Sequence, residues 1–146
     1  MFHRLYVHVC WTTRERLPLI DSRLAEFLER FLPAIAHQER ASVLGLGIVS
    51  THVHLLVRVH PTTSIPRFLA RLKGGSASLA AAEGHAHVNR PLRWARGYSV
   101  SSVSERALPI VYEYVEEQPR HHPDEAIEGW VPAWRPGLAA ALAVKA

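Results

Sequence analysis

The hydrophobic pattern changes period several times along the chain, and each change marks an element. Residues 4–12 alternate: Leu5, Val7 and Val9 stand against Tyr6, His8 and Cys10, the period-2 signature of a strand. Residues 21–40 switch to helical spacing. Leu24, Phe27, Leu28, Phe31, Leu32 and Ile35 form one apolar stripe behind a cap at Asp21 or Ser22. Pro33 lies inside that stripe and predicts a kink. Residues 42–49 predict a second strand, where Gly45 and Gly47 leave room for a bulge or a close approach of backbone. Residues 52–60 predict a third strand, paired with the second as an antiparallel hairpin and ended by Pro61. Residues 63–82 predict a second helix, weakened in its middle by Gly74-Gly75. Residues 84–95 predict a polar loop, and residues 96–103 a fourth strand. Residues 105–118 predict a last helix, capped by Ser102 or Ser104 and stopped by Pro119.

The order strand, helix, strand, strand, helix, strand, helix predicts an α+β fold. It is the ferredoxin-like split βαβ (βαββαβ) antiparallel sheet with an additional C-terminal helix. Two helices cover one face of the sheet, and the other is left for a site or for the extra helix. The 146 residues make room for one domain. Residues 1–123 are expected to form it. Residues 124–146, Pro-rich and then Ala-rich, read as a C-terminal tail, and Trp130 and Trp134 predict that part of it docks.

Composition removes several classes. Apolar residues at 48% and charged ones at 21% exclude disorder. A single cysteine, Cys10, excludes an intramolecular disulfide framework and a multi-cysteine zinc site. No apolar run approaches the roughly 18 residues that span a bilayer, and the start Met1-Phe2-His3-Arg4 lacks the apolar core of a signal peptide. The expectation is a soluble, cytoplasmic protein with no membrane partner. The net charge is +4, and all the basic residues but Lys73 and Lys145 are Arg, which suits bidentate phosphate contacts as it also suits a GC-rich genome. Arg58, Arg67, Arg71, Lys73, Arg90, Arg93, Arg96 and Arg106 face only Glu83 and Glu105 across residues 58–106. That basic block reads either as a phosphate-tracking surface or as a solvated helix face and loop.

The candidate chemistry lies on the third strand and the last helix. Val53, Leu55, Val57 and Val59 form one face of the strand, and His52, His54, Leu56 and Arg58 the other. Two imidazoles about 6.6 Å apart on one face either converge on one metal ion or stand as two half-exposed histidines. Tyr114 and Gln118 are four apart and share a helix face. A tyrosine hydroxyl is a possible covalent nucleophile and an amide oxygen a hard metal ligand; alone, both also fit an ordinary helix surface. His60 is too far along its strand to join His52. His8 reads as a hydrogen-bonded histidine near the site, and His121 and His122 as DNA contacts or solvated residues. Arg67, Arg71 and Lys73 recur on the second helix and can track phosphates. Arg93 and Arg96 flank Trp94, which either stacks on an unpaired base or belongs to the core.

Taken in order, these motifs resemble the small single-tyrosine HUH transposases of the bacterial insertion-sequence and REP-associated types. The resemblance rests on His52-Val53-His54 on a central strand and on Tyr114-Val115-Glu116-Glu117-Gln118 on a following helix. Tyr6 to Thr12, Leu72 to Ser76, Trp94 to Ser104 and Gln118 to His122 also look alike, so that it spans about residues 2–123; Cys10 stands where an aliphatic residue is expected. The resemblance implies a DNA transposase that cleaves and rejoins single-stranded DNA beside hairpins through a 5′-phosphotyrosine. Tyr114 would be the nucleophile, and His52, His54 and Gln118 would hold Mg²⁺ or Mn²⁺. Ligand softness further predicts that Mn²⁺ serves at least as well as Mg²⁺. A homodimer is implied, in some members with the tyrosine helix of one subunit completing the other's site. The alternative is a catalytically retired or domesticated module that only binds DNA or RNA hairpins.

Overall fold

A computed structural model describes residues 3–143; Met1, Phe2 and residues 144–146 lie outside it, and with them the outer ends of the expected domain and tail. The elements are β1 (Leu5–Thr12), α1 (Ser22–Gln38), β2 (Ser42–Ile48), β3 (His52–Val59), α2 (Ile65–Ala82), β4 (Ser99–Val103), α3 (Leu108–Glu116), α4 (Gln118–His121) and α5 (Leu138–Ala143). All strand pairs are antiparallel, in the order β2-β3-β1-β4. This is the expected α+β sheet.

Strand parity builds the core. Val9 and Trp11 of β1 and Val53, Leu55, Val57 and Val59 of β3 point to one face, where Leu24, Phe27, Leu28 and Leu32 of α1 and Phe68, Leu69 and Leu72 of α2 close over them. Asp21 caps α1 through its Oδ1, which accepts from Leu24 N at 2.9 Å, worth about 1 kcal/mol. Pro33 lies inside α1 without ending it. The Gly74-Gly75 pair does not interrupt α2, and a side chain at Gly75 would meet the Phe31 ring at 3.0 Å, so here glycine sets the approach of α2 to α1.

Two expectations for β2 both hold. Its pairing with β3 shifts between Val43 and Gly45, a bulge. Gly45 and Gly47 then admit α3 to the other face. A Cβ on Gly47 would lie 2.0 Å from the Val115 carbonyl oxygen and 2.9 Å from Gln118 Cγ, and one on Gly45 would lie 3.2 Å from the Tyr112 ring. Glu116 Oε1 accepts from Leu46 N at 3.2 Å and pins α3 to the same strand.

Two expectations change. The fourth strand begins at Ser99 rather than at residue 96. The last helix is not continuous over 105–118. A 3-10 turn over Glu105–Ala107, capped by Ser104, leads into α3, which ends at Glu116, and α4 starts a new turn at Gln118. Pro119 supplies the physical reason: it has no N–H to donate to the Val115 carbonyl and its ring clashes there, so α3 cannot run on through it, and it is favoured in the first turn of a new helix.

Part of the C-terminal segment docks on the domain, as Trp130 and Trp134 predict. Ile127, Trp130 and Trp134 pack on the helix-side core, and Ala133 N donates to the buried Glu29 Oε2 at 3.0 Å. Leu138, Ala141 and Leu142 then join Tyr6, Leu44, Leu56, Leu108 and Val115 in a smaller cluster on the opposite face.

Candidate active site on the open face of the sheet

The register places the site residues. Cys10 pairs with His54 and Thr12 with His52, so His8, Cys10, His52 and His54 all emerge on the face away from α1 and α2. His52 is 3% and His54 7% exposed, so any charge they carried would be poorly solvated. Burial is the first cause that lowers both above all His54, pushed down to about 3 with further help from His52, His8 and His122. Both rings are therefore neutral at physiological pH, the form that binds a metal ion.

Each ring has its nitrogens engaged. His52 Nε2 lies 3.2 Å from Gln118 Oε1, and its Nδ1 lies 3.0 Å from Thr51 Oγ1. His54 Nδ1 lies 2.8 Å from His8 Nε2, and its Nε2 3.5 Å from Cys10 Sγ. The His52 and His54 ring centroids are 5.1 Å apart. Gln118 is fully buried, and its Nε2 donates to the Tyr114 carbonyl at 3.1 Å. That bond preserves the four-residue relation between Tyr114 and Gln118 although the helix breaks between them. Tyr114 is 40% exposed, and its ring stands edge-on to His54 at 5.7 Å and to His8 at 6.0 Å, with His121 5.0 Å away. A tyrosine open to solvent above two buried neutral imidazoles and a buried amide is thus built by β1, β3, α3 and α4.

The donor set fits a divalent ion. Octahedral ligands about 2.1 Å from a small cation place neighbouring ligand atoms about 3 Å apart, close to the 3.2 Å between His52 Nε2 and Gln118 Oε1. If His54 donates from Nδ1 to His8, its Nε2 keeps a lone pair. Among the described residues no group of three or more His, Cys, Asp and Glu is placed to hold a metal ion.

The basic residues divide. Arg67, Arg93 and Arg96 are exposed. Arg71 pairs with Glu39 at 3.0 Å. Lys73 Nζ donates to the carbonyls of Ala95 at 2.8 Å and Gly97 at 2.7 Å, which ties the loop before β4 to α2. Trp94 is half-buried against the helix-side core: its ring meets Trp11 edge-on at 5.7 Å and its Nε1 donates to Ser76 Oγ at 2.9 Å. A groove of about 660 Å³ along α3 is lined by Tyr112, Glu113, Glu116, Glu117, Arg120 and neighbours; its carboxylates oppose a phosphate backbone. His60 stands apart, bonded to Thr62.

Sequence reasoning placed His8 near the site but not in contact with His54; parity with Tyr6 and Cys10 on β1 was the available signal. It missed Thr51, Arg16 and Glu125. Arg16 follows β1 in a turn where it and Glu15 both take left-handed backbone, φ 53° and 56°. Glu125 lies in the segment read as a tail. Its Oε2 is 3.5 Å from His52 Nδ1 and its Oε1 3.7 Å from Arg16 Nη2.

The chain and its fold are similar to those of known transposases. The family model described as "Transposase IS200 like" matches residues 1–118. The ISDra2 transposase TnpA of Deinococcus radiodurans is 28% identical over 120 residues, covering 80% of this chain and 85% of that protein. A crystal structure from Deinococcus radiodurans R1, assigned as a transposase, is 30% identical with a TM-score of 0.63, covering 81% of this chain and 93% of the other. A REP-associated tyrosine transposase bound to a REP hairpin shares the fold, with a TM-score of 0.63 at 11% identity, covering 90% of this chain and 73% of that one. With the family match spanning most of its length, the chain belongs to the IS200-like transposase family.

Proposed function

We propose that this transposase cleaves and rejoins single-stranded DNA beside hairpins, with Tyr114 as nucleophile and His52, His54 and Gln118 as ligands of Mg²⁺ or Mn²⁺. The observation that carries the reading is the placement of an exposed Tyr114 over the buried His54 and its half-buried partner His8, with the buried His52–Gln118 pair beside it. In the forward step the Tyr114 oxygen bonds to a backbone phosphorus, its proton is released, and the bond to the 3′-oxygen breaks to leave a 3′-hydroxyl. Rejoining reverses this at a new end, and the phosphotyrosine keeps the bond energy, so no nucleotide cofactor is consumed. A bound divalent ion would supply Lewis-acid neutralisation of phosphate charge. Gln118 and Tyr114 move as one unit through the Gln118 Nε2 to Tyr114 carbonyl bond, so the nucleophile is placed relative to the ligand set. Exposed Arg67, Arg93 and Arg96 supply the cations that follow the strand. The working unit is a homodimer in this reading; the unpaired edge of β4, with Tyr98 and Val100 exposed, supports it.

The test is covalent trapping. The protein is mixed with Mn²⁺ and single strands from both sides of its own gene, then run on a denaturing gel. A band that survives denaturation in the wild type and vanishes in Tyr114→Phe is the expected result. Tight hairpin binding without an adduct would replace the enzyme by a binding module.

A further inference from the structure

Glu125 lies seven residues beyond the end of the family match, in a 3-10 turn over Pro123–Glu125 that follows α4. Its backbone is anchored twice: its N–H donates to the His122 carbonyl at 3.0 Å, and its carbonyl accepts from Ser50 N at 2.8 Å. Ser50 belongs to the β2–β3 turn, two residues before His52. The segment after Gln118 is thus bound to the segment that opens the histidine strand.

The side chain follows. Oε2 is buried with no hydrogen bond of its own, 3.5 Å from His52 Nδ1 and 3.8 Å from His122 Nδ1. Oε1 lies 3.7 Å from Arg16 Nη2. A buried carboxylate oxygen without a donor is costly, and of the two imidazoles that face it the nearer and the buried one is His52.

A neutral imidazole carries one ring proton. With that proton on Nε2, His52 donates to Gln118 Oε1 and Nδ1 is bare against Glu125. With it on Nδ1, the proton points at Thr51 Oγ1 and Glu125 Oε2, and Nε2 presents its lone pair beside Gln118 Oε1. Only the second arrangement is a ligand. Thr51 is neutral and can accept or donate, so it does not choose between them. An ionised carboxylate only accepts, so it does.

We propose that Glu125 is a positioning residue that holds His52 in the Nδ1–H tautomer, so that Nε2 is ready to receive a divalent ion. This rests on the ligand set proposed above. It makes the C-terminal segment, outside the family-matched region, part of the site's chemistry. Carboxylates in this relation to a ligand histidine typically change metal affinity 10- to 100-fold.

Mn²⁺ binding to the full chain without DNA, followed by electron paramagnetic resonance, tests it with Glu125→Gln, Glu125→Asp and His52→Ala beside the wild type. Glu125→Gln keeps the shape and loses the charge. Its Mn²⁺ affinity is expected to fall tenfold or more while its metal-free Tm stays within a degree or two, and Glu125→Asp recovers part of the loss. Long-range ¹H–¹⁵N spectra of the imidazoles are expected to show His52 moving from the Nδ1–H towards the Nε2–H form in Glu125→Gln. Wild-type affinity and an unchanged tautomer in Glu125→Gln would overturn the proposal while leaving the ligand set standing, provided His52→Ala loses Mn²⁺. No Mn²⁺ binding by the wild type would overturn both.

Discussion

The two faces of this sheet are made by the same strands and do opposite work. On the face under α1 and α2, every inward side chain of β3 is aliphatic and the layer is closed by leucines and phenylalanines. On the other face the same strand presents His52, His54 and Leu56, and the covering layer is thin: α3, α5 and a small cluster around Leu44 and Val115. The closed face carries most of the apolar burial and hence most of the stability. The open face holds buried polar rings satisfied by one another, an arrangement that adds little net stability but fixes direction. Separating the two tasks by strand parity lets a small domain keep a site without hollowing its core.

The sharpest way to break that comparison is to damage each face and read both properties. Leu28 is fully buried under the helix layer. Leu28→Ala is expected to lower stability by about 2–5 kcal/mol, measured by urea unfolding. Adduct formation per folded molecule should remain at the wild-type level in the cold. If cleavage fell while the protein stayed folded, the faces would not be independent.

A smaller effect comes from one substitution made on each side. Gly47→Ala would drive a methyl group into the Val115 carbonyl and against Gln118. β2 is an edge strand, held by its pairing with β3 and by its packing on α1, so the clash is relieved mainly by α3, which takes Tyr114 and Gln118 with it. The expected stability loss is about 1–3 kcal/mol, and the expected loss of cleavage is about a hundredfold, as for a displacement of roughly 1 Å at a reacting group. Gly74→Ala, on α2, has nothing within 4 Å of the new methyl. There the helix should gain about 0.5–1 kcal/mol with cleavage unchanged. Equal outcomes at the two glycines would refute the role given to β2 as the seat of the tyrosine helix.

How much of this could be read from the chain follows the same division. The closed face was legible because periodicity is a local signal: alternation in β1 and β3 and the stripe of α1 name their own burial. His52, His54, Tyr114 and Gln118 were legible as a spaced pattern, and the structure brings His52 to Gln118 and Tyr114 over His54. The contact of His8 with His54 depends on register between β1 and β3, which no single strand encodes. Glu125 depends on where a segment without periodicity returns after α4. Lys73 and Trp94 show the same limit: their bonds to the carbonyls of Ala95 and Gly97 and to Ser76 are visible only in three dimensions.

The smallest expected effect concerns Glu116, where α3 meets the edge of β2. Its carboxyl is pushed above its ordinary value, first by burial and also by Glu29, against the opposing pull of the Leu46 N–H and Arg135. A raised carboxyl means that the folded state prefers the protonated form. Below about 4.5, the ordinary value, both states are protonated and the group is neutral to stability. As pH rises through the raised value the folded protein must bear a buried negative charge, and stability falls relative to a neutral side chain. Glu116→Gln keeps an oxygen for the Leu46 N–H and removes the charge. Its Tm relative to the wild type should therefore become more positive from acid to neutral pH, with adduct formation retained because the α3–β2 bond survives. A difference in Tm that is flat with pH, or that shrinks toward neutrality, would mean that Arg135 at 3.8 Å already offsets the charge, and that the open face bears its buried carboxylate at no cost to stability.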